Sequence, residues 1–515
     1  MRSILLFNTA LAYSIFTIAL LLSSCGKKVE LLSSSSTDYC AKNQQADTIK
    51  MSEVLNPMLD LMKDQTGVYV LEDGGTSLAA RAWFTSHAVR SIDIQYFIFS
   101  TDNIGLIGCD YLVRAADRGV KVRILIDDIM VNAELDDILR IDAHENINIK
   151  VYNPGTNLGK SILNKVTKLA TDFRSANQRM HNKTFIVDDQ IVITGGRNIA
   201  DEYFDYDHDY NFRDRDVLML GKESKKVGAS FDTFWNNELS VDCESLSDQT
   251  IDTTVSYELL HQYACNPENY WPKVRASVKA FPTMLKHLYD SNQIVWLDSI
   301  EFISDDPGKN DGKQGLAGGG ISTKALIELI QSAQYSIDIQ TPYLITTDLG
   351  KGLFKSAVER GVKIRILTNS LASTDNVEAF SSYQTDREEL LKTGLRIFEC
   401  KPDAAIRKQL MSGALQKKMD FTPIFGLHAK SMVVDGKTTV IGTFNLDPRS
   451  ANLNTECIVV MKDEIIASGV LEGMEAEYQP ENAWETTLTF NPDKEVSRSK
   501  RVKTWTRKIL PKAIL

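Results

Sequence analysis

Apolar residues recur along the chain in two patterns: runs typical of strands, and the wider spacing typical of helices. The two patterns follow one another in a fixed order. Ile92 to Phe99 reads as a strand, and the apolar residues Ile104, Ile107, Tyr111 and Ala115 then recur at helical spacing. Val122 to Ile126 is a second apolar strand after the turn residue Gly119. This order predicts a strand–helix–strand unit with a largely parallel sheet that helices cover on both faces.

The same pattern occurs a second time in the chain. Ser91 to Gln95 recurs as Ser336 to Gln340 at an offset of 245 residues, and Arg118 to Leu125 recurs as Arg360 to Leu367 at an offset of 242. A repeat of this length predicts a tandem duplication of one structural unit. We therefore expect two tandem α/β sandwich domains with mixed, largely parallel sheets, and functional loops at the carboxyl ends of the strands.

The N-terminus has the features of a secretory signal. Arg2 precedes an apolar stretch from Ala10 to Leu22, and Leu22-Ser23-Ser24-Cys25 follows. This tetrapeptide resembles the bacterial lipobox, in which the Cys is acylated and becomes the first residue of the mature protein. We expect lipidation of Cys25 in the cell envelope, facing the periplasm, with the outer membrane favoured over the inner; the alternative is an uncleaved anchor.

Composition narrows the possible partners. The 515 residues carry a net charge of -10, which argues against general nucleic-acid binding. The tail from Lys494 to Leu515 has eight Lys or Arg and one Glu, with Val502, Trp505 and Ile509 on one helical face. This tail predicts an interfacial helix on anionic lipid; a solvated helix or a disordered tail is the alternative.

The seven cysteines are too few for a disulfide framework. Among them, Cys243 and Cys265 are the least implausible pair because they flank a segment outside the repeat. We expect Cys109 and Cys457 to be buried and reduced.

These patterns divide the chain into six parts. They are a signal peptide at 1–24, a tether at 25–50, a first domain at 51–240, a connector and active-site rim at 241–320, a second domain at 321–480, and a basic amphipathic tail at 481–515.

Each copy also contains the same set of polar residues at one constant offset of 247 residues. The first copy has His181, Lys183, Asp188 and Asn198, and the second has His428, Lys430, Asp435 and Asn445. In an extended His-x-Lys segment both side chains lie on one face. Two copies brought together would surround one anion with two imidazoles, two ammonium groups and two amides.

Such a set of donors suits a phosphodiester. The lysines and asparagines would neutralise the phosphoryl oxygens, one histidine would attack phosphorus, and the other would protonate the leaving oxygen. This chemistry requires no metal ion and no cofactor.

The duplicated motif His-x-Lys-x4-Asp-x6-Gly-Gly/Thr-x-Asn resembles the phospholipase D superfamily. The flanking segments Gln178 to Lys183, Gly195 to Phe204 and Gly442 to Ser450 are similar to bacterial cardiolipin synthases, closest to the C-type group. The resemblance implies two domains related by a pseudo-twofold axis that share one active site.

The resemblance also implies individual roles. His181 would be the nucleophile, His428 the general acid and base, and Lys183, Lys430, Asn198 and Asn445 the phosphate-binding groups. Asp188 and Asp435 would be structural rather than catalytic. Carboxylates from opposite halves would orient the histidines, with Glu456 on His181 and Asp216 on His428.

The activity that follows is transfer of a phosphatidyl group from phosphatidylethanolamine or phosphatidylglycerol to phosphatidylglycerol. We expect a monomer that binds phospholipid substrates and the membrane surface, and no nucleic acid. The motif does not distinguish transfer from hydrolysis, so a phospholipase D that releases phosphatidic acid is an alternative, and a nuclease or a non-catalytic lipid-binding protein is a more distant one.

Overall fold

A computed structural model describes residues 38–42, 49–128, 135–155, 177–247, 256–309, 317–411 and 423–512. Within these ranges the chain forms one sheet of nine strands, one of eight, and a small sheet of two. Cys25, the signal peptide and most of the tether lie outside the described residues.

The strands of the first half are β1 (Thr66–Leu71), β2 (Ser91–Tyr96), β3 (Lys121–Asp127), β4 (Ile147–Tyr152), β5 (Thr184–Val187), β6 (Ile191–Gly195), β7 (Tyr210–Arg213), β8 (Asp216–Gly221) and β9 (Ser240–Asp242). The later strands are β10 (Val295–Leu297), β11 (Glu301–Ser304), β12 (Ser336–Gln340), β13 (Lys363–Asn369), β14 (Arg396–Cys400), β15 (Ile424–Leu427), β16 (Ser431–Val434), β17 (Thr438–Gly442), β18 (Cys457–Lys462) and β19 (Ala483–Thr486).

The described helices of the first half and connector are α1 (Tyr39–Lys42), α2 (Met51–Leu55), α3 (Leu59–Asp64), α4 (Gly74–His87), α5 (Asn103–Asp117), α6 (Leu135–Asp142), α7 (Ser224–Trp235), α8 (Glu258–Cys265) and α9 (Pro272–Asp290). Those that follow are α10 (Ile321–Ser332), α11 (Asp348–Glu359), α12 (Val377–Lys392), α13 (Arg407–Leu410), α14 (Pro448–Asn452), α15 (Glu464–Glu477) and α16 (Arg498–Arg507). Short 3-10 turns lie at Asn56–Met58, Asp201–Tyr203, Cys243–Leu246 and Pro492–Glu495.

Apart from the additional edge strand β10 in the first, the two large sheets share one strand order. The first runs β10-β1-β8-β6-β5-β2-β3-β4-β9, and the second runs β11-β18-β17-β16-β12-β13-β14-β19. The repeated segments form equivalent central strands, and an ion pair recurs between them: Asp93 contacts Arg123 at 2.6 Å, and Asp338 contacts Arg365 at 2.5 Å. The predicted pair of tandem α/β sandwiches is confirmed.

In the two large sheets, parallel pairing is confined to three neighbouring strands next to one edge strand. β2, β3 and β4 run parallel, as do β12, β13 and β14. The motif strands pair antiparallel with their neighbours, and tight turns join β5 to β6 and β16 to β17. Each sheet is therefore mixed, with a larger antiparallel share than the strand–helix–strand pattern alone predicts.

The segment between the repeats belongs to both halves. Its helices α8 and α9 pack on α5 and α4, its strand β10 extends the first sheet, and β11 extends the second. Cys265 at the end of α8 forms a disulfide with Cys40 in α1. The predicted Cys243–Cys265 pair is therefore wrong: Cys243 is a free, buried thiol.

Two further thiol predictions have different outcomes. Cys457 is free and buried, as predicted. Cys109 is free but only half-buried, because it lies on the side of α5 next to a groove at the surface.

Buried charges join the halves across their shared boundary. β7 of the first half pairs in parallel with β15 of the second. Beside this pair, the Arg213 guanidinium donates to Glu477 at 2.8 Å, and that of Arg215 donates to Ser431 at 2.9 Å. Because all four side chains are inaccessible or nearly so, separating the halves would leave charges unpaired in an apolar environment. This boundary fixes the relative position of the two motifs.

Candidate active site

The two His-x-Lys segments meet at the boundary between the halves. Each segment immediately precedes a motif strand, β5 or β16. The backbone N–H of His181 donates to the carbonyl of Thr455 at 3.0 Å, and that of His428 donates to the carbonyl of Arg213 at 2.8 Å. Each histidine is therefore held by backbone from the opposite half, in a reciprocal arrangement.

Glu456 of the second half orients His181 of the first. Its Oε2 lies 2.8 Å from Nδ1 of the imidazole, and the Thr443 hydroxyl donates to the same oxygen. Phe97 packs edge-on against the ring at a centroid distance of 5.0 Å. If Nδ1 carries the proton that this carboxylate accepts, Nε2 keeps its lone pair for reaction.

Asp214 of the first half orients His428 of the second. Its Oδ2 lies 2.5 Å from Nδ1 of the imidazole. The expectation that Asp216 would serve this role is wrong, and the sheet register gives the reason. Gly195 pairs with Asp216, whereas the equivalent Gly442 pairs with Ile458. Counting back two residues in each copy gives Asp214 and Glu456 as true counterparts.

Asp216 instead anchors the beginning of β8 against α4. Its carboxylate accepts from the Ser77 hydroxyl at 2.7 Å and pairs with Arg81 at 3.0 Å and Arg197 at 3.4 Å. These contacts compensate the cost of burying a carboxylate that is fully inaccessible. Asp216 therefore has a structural environment, away from the imidazole of His428.

The two motif lysines are buried beside the histidines. The Lys183 ammonium donates to the His181 carbonyl at 2.8 Å, and the Lys430 ammonium lies 2.8 and 3.1 Å from the two ring nitrogens of His428. Burial lowers the pKa of Lys183 to about 7 and that of Lys430 to about 8. Two ammonium groups repel one another when both are buried in one site. Binding of an anion between them is therefore strongly favoured.

The same environment holds both imidazoles neutral near pH 7. Burial lowers the pKa of His181 to about 4, against the opposing effect of Glu456. Burial and the Lys430 charge lower the pKa of His428 to about 3. Burial alone would raise the pKa of Glu456, but its interaction and hydrogen bond with His181, together with the Lys183 charge, outweigh burial and lower that pKa. The site therefore combines ionised carboxylates, neutral imidazoles and lysines that titrate near neutrality.

The asparagines lie beyond the glycines of each motif and differ in their contacts. Asn198 accepts from the backbone N–H of Ile98 at 3.0 Å and donates from Nδ2 to the Tyr203 hydroxyl at 2.8 Å. The backbone N–H of Asn445 donates to the Ser450 hydroxyl at 3.3 Å. Its buried side-chain oxygen has no hydrogen-bond partner among the described residues.

The motif aspartates act on the backbone. Asp188 accepts from the N–H groups of Val89, Arg90 and Ser91, and Asp435 accepts from those of Gln334, Tyr335 and Ser336. In both copies the carboxylate thus fixes the beginning of the central strand. The structural role expected of both residues remains a prediction, which these contacts support.

Close approach of the next strand explains the motif glycines. A Cβ on Gly195 would lie 2.4 Å from the Arg215 carbonyl, and one on Gly442 would lie 2.3 Å from the Cys457 carbonyl. A Cβ on Gly196 would lie 2.1 Å from the Asp214 carboxylate. Gly196 is therefore required for Asp214 to reach His428, whereas its counterpart Thr443 adds a hydroxyl to Glu456.

The sequence reasoning missed three residues of this site: Asp214, Thr443 and Tyr203. The Tyr203 hydroxyl lies 3.5 Å from Nε2 of His428. Tyr203 and Thr443 occur within the segments that carry the motif resemblance, and Asp214 lies two residues before the predicted Asp216, so proximity to these positions was the available signal. Their roles were not separable from sequence because strand register decides which of them faces an imidazole.

Comparison with known proteins identifies the family. The family described as "Cardiolipin synthase, PLD-like domain" matches the chain twice, at residues 85–235 and 326–477. The chain belongs to this family. Its two matches correspond to the two sandwiches, and as a family member it is an enzyme of the phosphatidyltransferase or phospholipase D type.

Two curated relatives and one solved structure agree with this assignment. Cardiolipin synthase C of Escherichia coli is 32% identical over 450 residues, which are 85% of this chain and 90% of that protein. Cardiolipin synthase 1 of Bacillus anthracis is 24% identical over 441 residues, which are 85% of this chain and 71% of that protein. The fold is similar to that of phosphatidylserine synthase from Haemophilus influenzae, with a TM-score of 0.55 at 14% identity over 89% of this chain and 100% of that one.

In the described part of the chain, no helix has both the length and the apolar character that crossing a bilayer requires.

Proposed function

We propose that this chain is a phosphatidyltransferase of the cardiolipin synthase type that works through a phosphohistidine on His181. One observation carries the proposal: two imidazoles share one buried site, and each is oriented by a carboxylate from the opposite half. The donor would be phosphatidylethanolamine or phosphatidylglycerol, and the acceptor would be the glycerol hydroxyl of phosphatidylglycerol.

In the first half-reaction, the lone pair on Nε2 of His181 attacks phosphorus. The bond from phosphorus to the head-group oxygen breaks, and that oxygen takes a proton from Nε2 of His428. Lys183, Lys430, Asn198 and Asn445 hold the phosphoryl oxygens. A phosphodiester anion offsets the Lys430 charge that lowers the pKa of His428, so substrate binding favours the protonated acid.

In the second half-reaction, His428 accepts the proton of the incoming hydroxyl. The acceptor oxygen forms a bond to phosphorus as the bond to Nε2 of His181 breaks, and the electron pair returns to His181. Glu456 and Asp214 remain ionised throughout and stabilise whichever imidazole is cationic.

A helix with an exposed apolar face supports membrane attachment. α16 is a ten-residue helix in which Thr504 is buried, while Val502 and Trp505 are 61% and 69% exposed and Ile509 just beyond is 85% exposed. In a typical surface helix of a soluble protein, apolar residues face the core and polar residues face the solvent; here the arrangement is reversed. The flanking basic residues suit an anionic bilayer. The tail would dock the protein on the membrane that contains its substrates.

We further propose that the protein acts in the bacterial cell envelope, lipid-anchored at Cys25 and facing the periplasm, with the outer membrane favoured. The Cys40–Cys265 disulfide supports an oxidising compartment, because such bonds are rare where thiols are kept reduced.

Product analysis tests the function. Purified protein is incubated with vesicles of phosphatidylglycerol, alone or with phosphatidylethanolamine, and the lipids are resolved by mass spectrometry. We expect cardiolipin; phosphatidic acid as the sole product would favour the hydrolase instead. His181→Ala should abolish both products, and His287→Ala, at an exposed position of α9, is the matched control.

A further inference from the structure

The two sides of the active site differ in polarity. On the His181 side, the ring nearest the imidazole is Phe97, and the ring of Phe444 lies beside the buried Lys309 ammonium. On the His428 side, the nearest rings are those of Phe212 and Tyr203, at centroid distances of 4.7 and 5.0 Å. The Tyr203 ring beside His428 thus carries a hydroxyl, whereas the Phe97 ring beside His181 does not.

Tyr343 and Asp375 continue this polar side outward. The Tyr343 hydroxyl donates to Oδ2 of Asp375 at 2.8 Å, and Tyr343 lies within electrostatic range of Tyr203 and Tyr210. The position equivalent to Tyr343 in the first copy, at the offset of 245, is Ile98. The duplication therefore does not require a tyrosine here, and the hydroxyl belongs to one side of the site alone.

Asp375 stands where a ligand can reach it. Its side chain is exposed and follows β13, at the carboxyl end of the second sheet, and it interacts electrostatically with Lys430. It also interacts with Lys500 of the tail helix α16. The polar side of the site thus opens beside the helix whose apolar face is exposed to a membrane.

We propose that Tyr203, Tyr343 and Asp375 form the subsite for the exchanging alcohol, which is the leaving head group in the first half-reaction and the acceptor glycerol in the second. This inference rests on the proposed function. It adds a location and a chemical class of ligand, a small polyol or amino alcohol, that the duplicated motif does not specify.

In-line displacement places the alcohol on this side. The leaving oxygen departs opposite the attacking Nε2 of His181, toward the proton on His428, whose Nε2 lies 3.5 Å from the Tyr203 hydroxyl. The acceptor enters along the same path in reverse, as its attacking hydroxyl gives its proton to His428. The second hydroxyl of a glycerol head group then donates to the Asp375 carboxylate, a bond that water cannot make while it also attacks phosphorus.

The subsite therefore determines how the phosphohistidine divides between transfer and hydrolysis. Vesicles containing phosphatidylglycerol and phosphatidylethanolamine are incubated with deuterated glycerol. Deuterated phosphatidylglycerol measures transfer, and phosphatidic acid measures hydrolysis. Their ratio is set after the intermediate has formed, so it is independent of the amount of active protein and of the first half-reaction.

Asp375→Ala should lower the transfer-to-hydrolysis ratio about tenfold, because it removes a charged hydrogen-bond partner of the acceptor. Tyr343→Phe should lower the ratio about threefold, as expected for a neutral hydrogen bond. Asp290→Ala and Tyr335→Phe, at exposed positions away from the site, are the matched controls. If Asp375→Ala is too unstable to assay, Asp375→Asn is read in the same way.

The proposed subsite is excluded if Asp375→Ala keeps the transfer-to-hydrolysis ratio of the wild type while the wild type transfers the phosphatidyl group to glycerol. A different result marks failure of the proposed function: a wild type that gives phosphatidic acid and no labelled phosphatidylglycerol at any glycerol concentration is a hydrolase, and an acceptor subsite is then excluded with it.

Discussion

The carboxylate of Glu456 lies 2.8 Å from Nδ1 of His181, although 275 residues separate the two along the chain. Asp214 and His428 repeat this relationship in the opposite direction. Each half therefore supplies the histidine that the other half orients, and neither half alone contains a complete acid–base pair. This reciprocity explains why one active site serves two copies of the motif.

Neutralising the orienting carboxylate should impair the nucleophile. We expect Glu456→Gln to lower the rate of head-group release about 100-fold or more, because the amide no longer fixes the imidazole tautomer or stabilises its cation. The rate is measured on vesicles at saturating lipid. Glu475→Gln, at a half-exposed surface ion pair, serves as the control and should retain wild-type rates. Full activity of Glu456→Gln would contradict the assigned pairing.

Substitution of Asp214 should lower catalytic turnover, whereas substitution of Asp216 should lower stability. We expect Asp214→Asn to reduce turnover about 100-fold or more, since it removes the partner of His428. Asp216→Asn should instead lower the free energy of unfolding by about 3 kcal/mol, because it leaves Arg81 and Arg197 without a buried counter-charge.

Both variants are measured by activity assay and by chemical denaturation. A reversed result, with Asp216→Asn fully stable but inactive and Asp214→Asn fully active, would restore the sequence-based expectation for Asp216.

The pH dependence of kcat/KM should have two limbs with different origins. His181 attacks only as a neutral imidazole, so its pKa of about 4 makes activity fall as the pH drops through that value. Lys183 binds phosphate as a cation, so its pKa of about 7 makes activity fall as the pH rises above neutrality, followed by Lys430 at about 8. His428 must also carry its proton, and its pKa of about 3 in the free protein makes kcat/KM decline gradually as the pH rises, so the optimum should lie close to the acid limb.

Replacing the titrating ammonium isolates the alkaline limb. Lys183→Arg carries a charge that does not titrate in this range, so its alkaline limb should move to higher pH whatever its absolute rate. An alkaline limb that stays in place in this variant would assign it to another group.

The exposed face of α16 should contribute to membrane binding. We expect Trp505→Ser to weaken binding to anionic vesicles about tenfold or more, as a large aromatic side chain no longer leaves water. Co-sedimentation at increasing salt measures the effect. Tyr335→Ser is a matched control, since Tyr335 and Trp505 are both 69% exposed. Equal losses in the two variants would exclude a specific role for the tail.

The repeated strands and helices were predictable because periodicity and duplication are local signals. The observed strands β2 and β3 and helix α5 agree with the apolar patterns that predicted them. The prediction that His181 and His428 lie in one site followed from their chemistry, because two identical sets of hydrogen-bond donors can together surround one phosphodiester anion. The tail helix was also predictable from its basic and apolar residues.

Three features depend on tertiary structure and were not predictable in this way. Asp214 lies 16 residues after Asn198, whereas Glu456 lies 11 residues after Asn445, so additional residues in the first copy obscure their equivalence until strand register restores it. Cys40 pairs with Cys265 because α1 packs on α8, a contact between segments without a repeat. The subsite around Tyr343 and Asp375 combines loops that follow different strands.

The most direct test of the central claim is to locate the covalent intermediate. Purified protein is mixed with phosphatidylglycerol vesicles, quenched within a single turnover, digested and examined by peptide mass spectrometry. We expect a phosphatidyl adduct on the peptide that contains His181, and no adduct in His181→Ala. An adduct on the His428 peptide, or turnover that persists in His181→Ala, would contradict this claim.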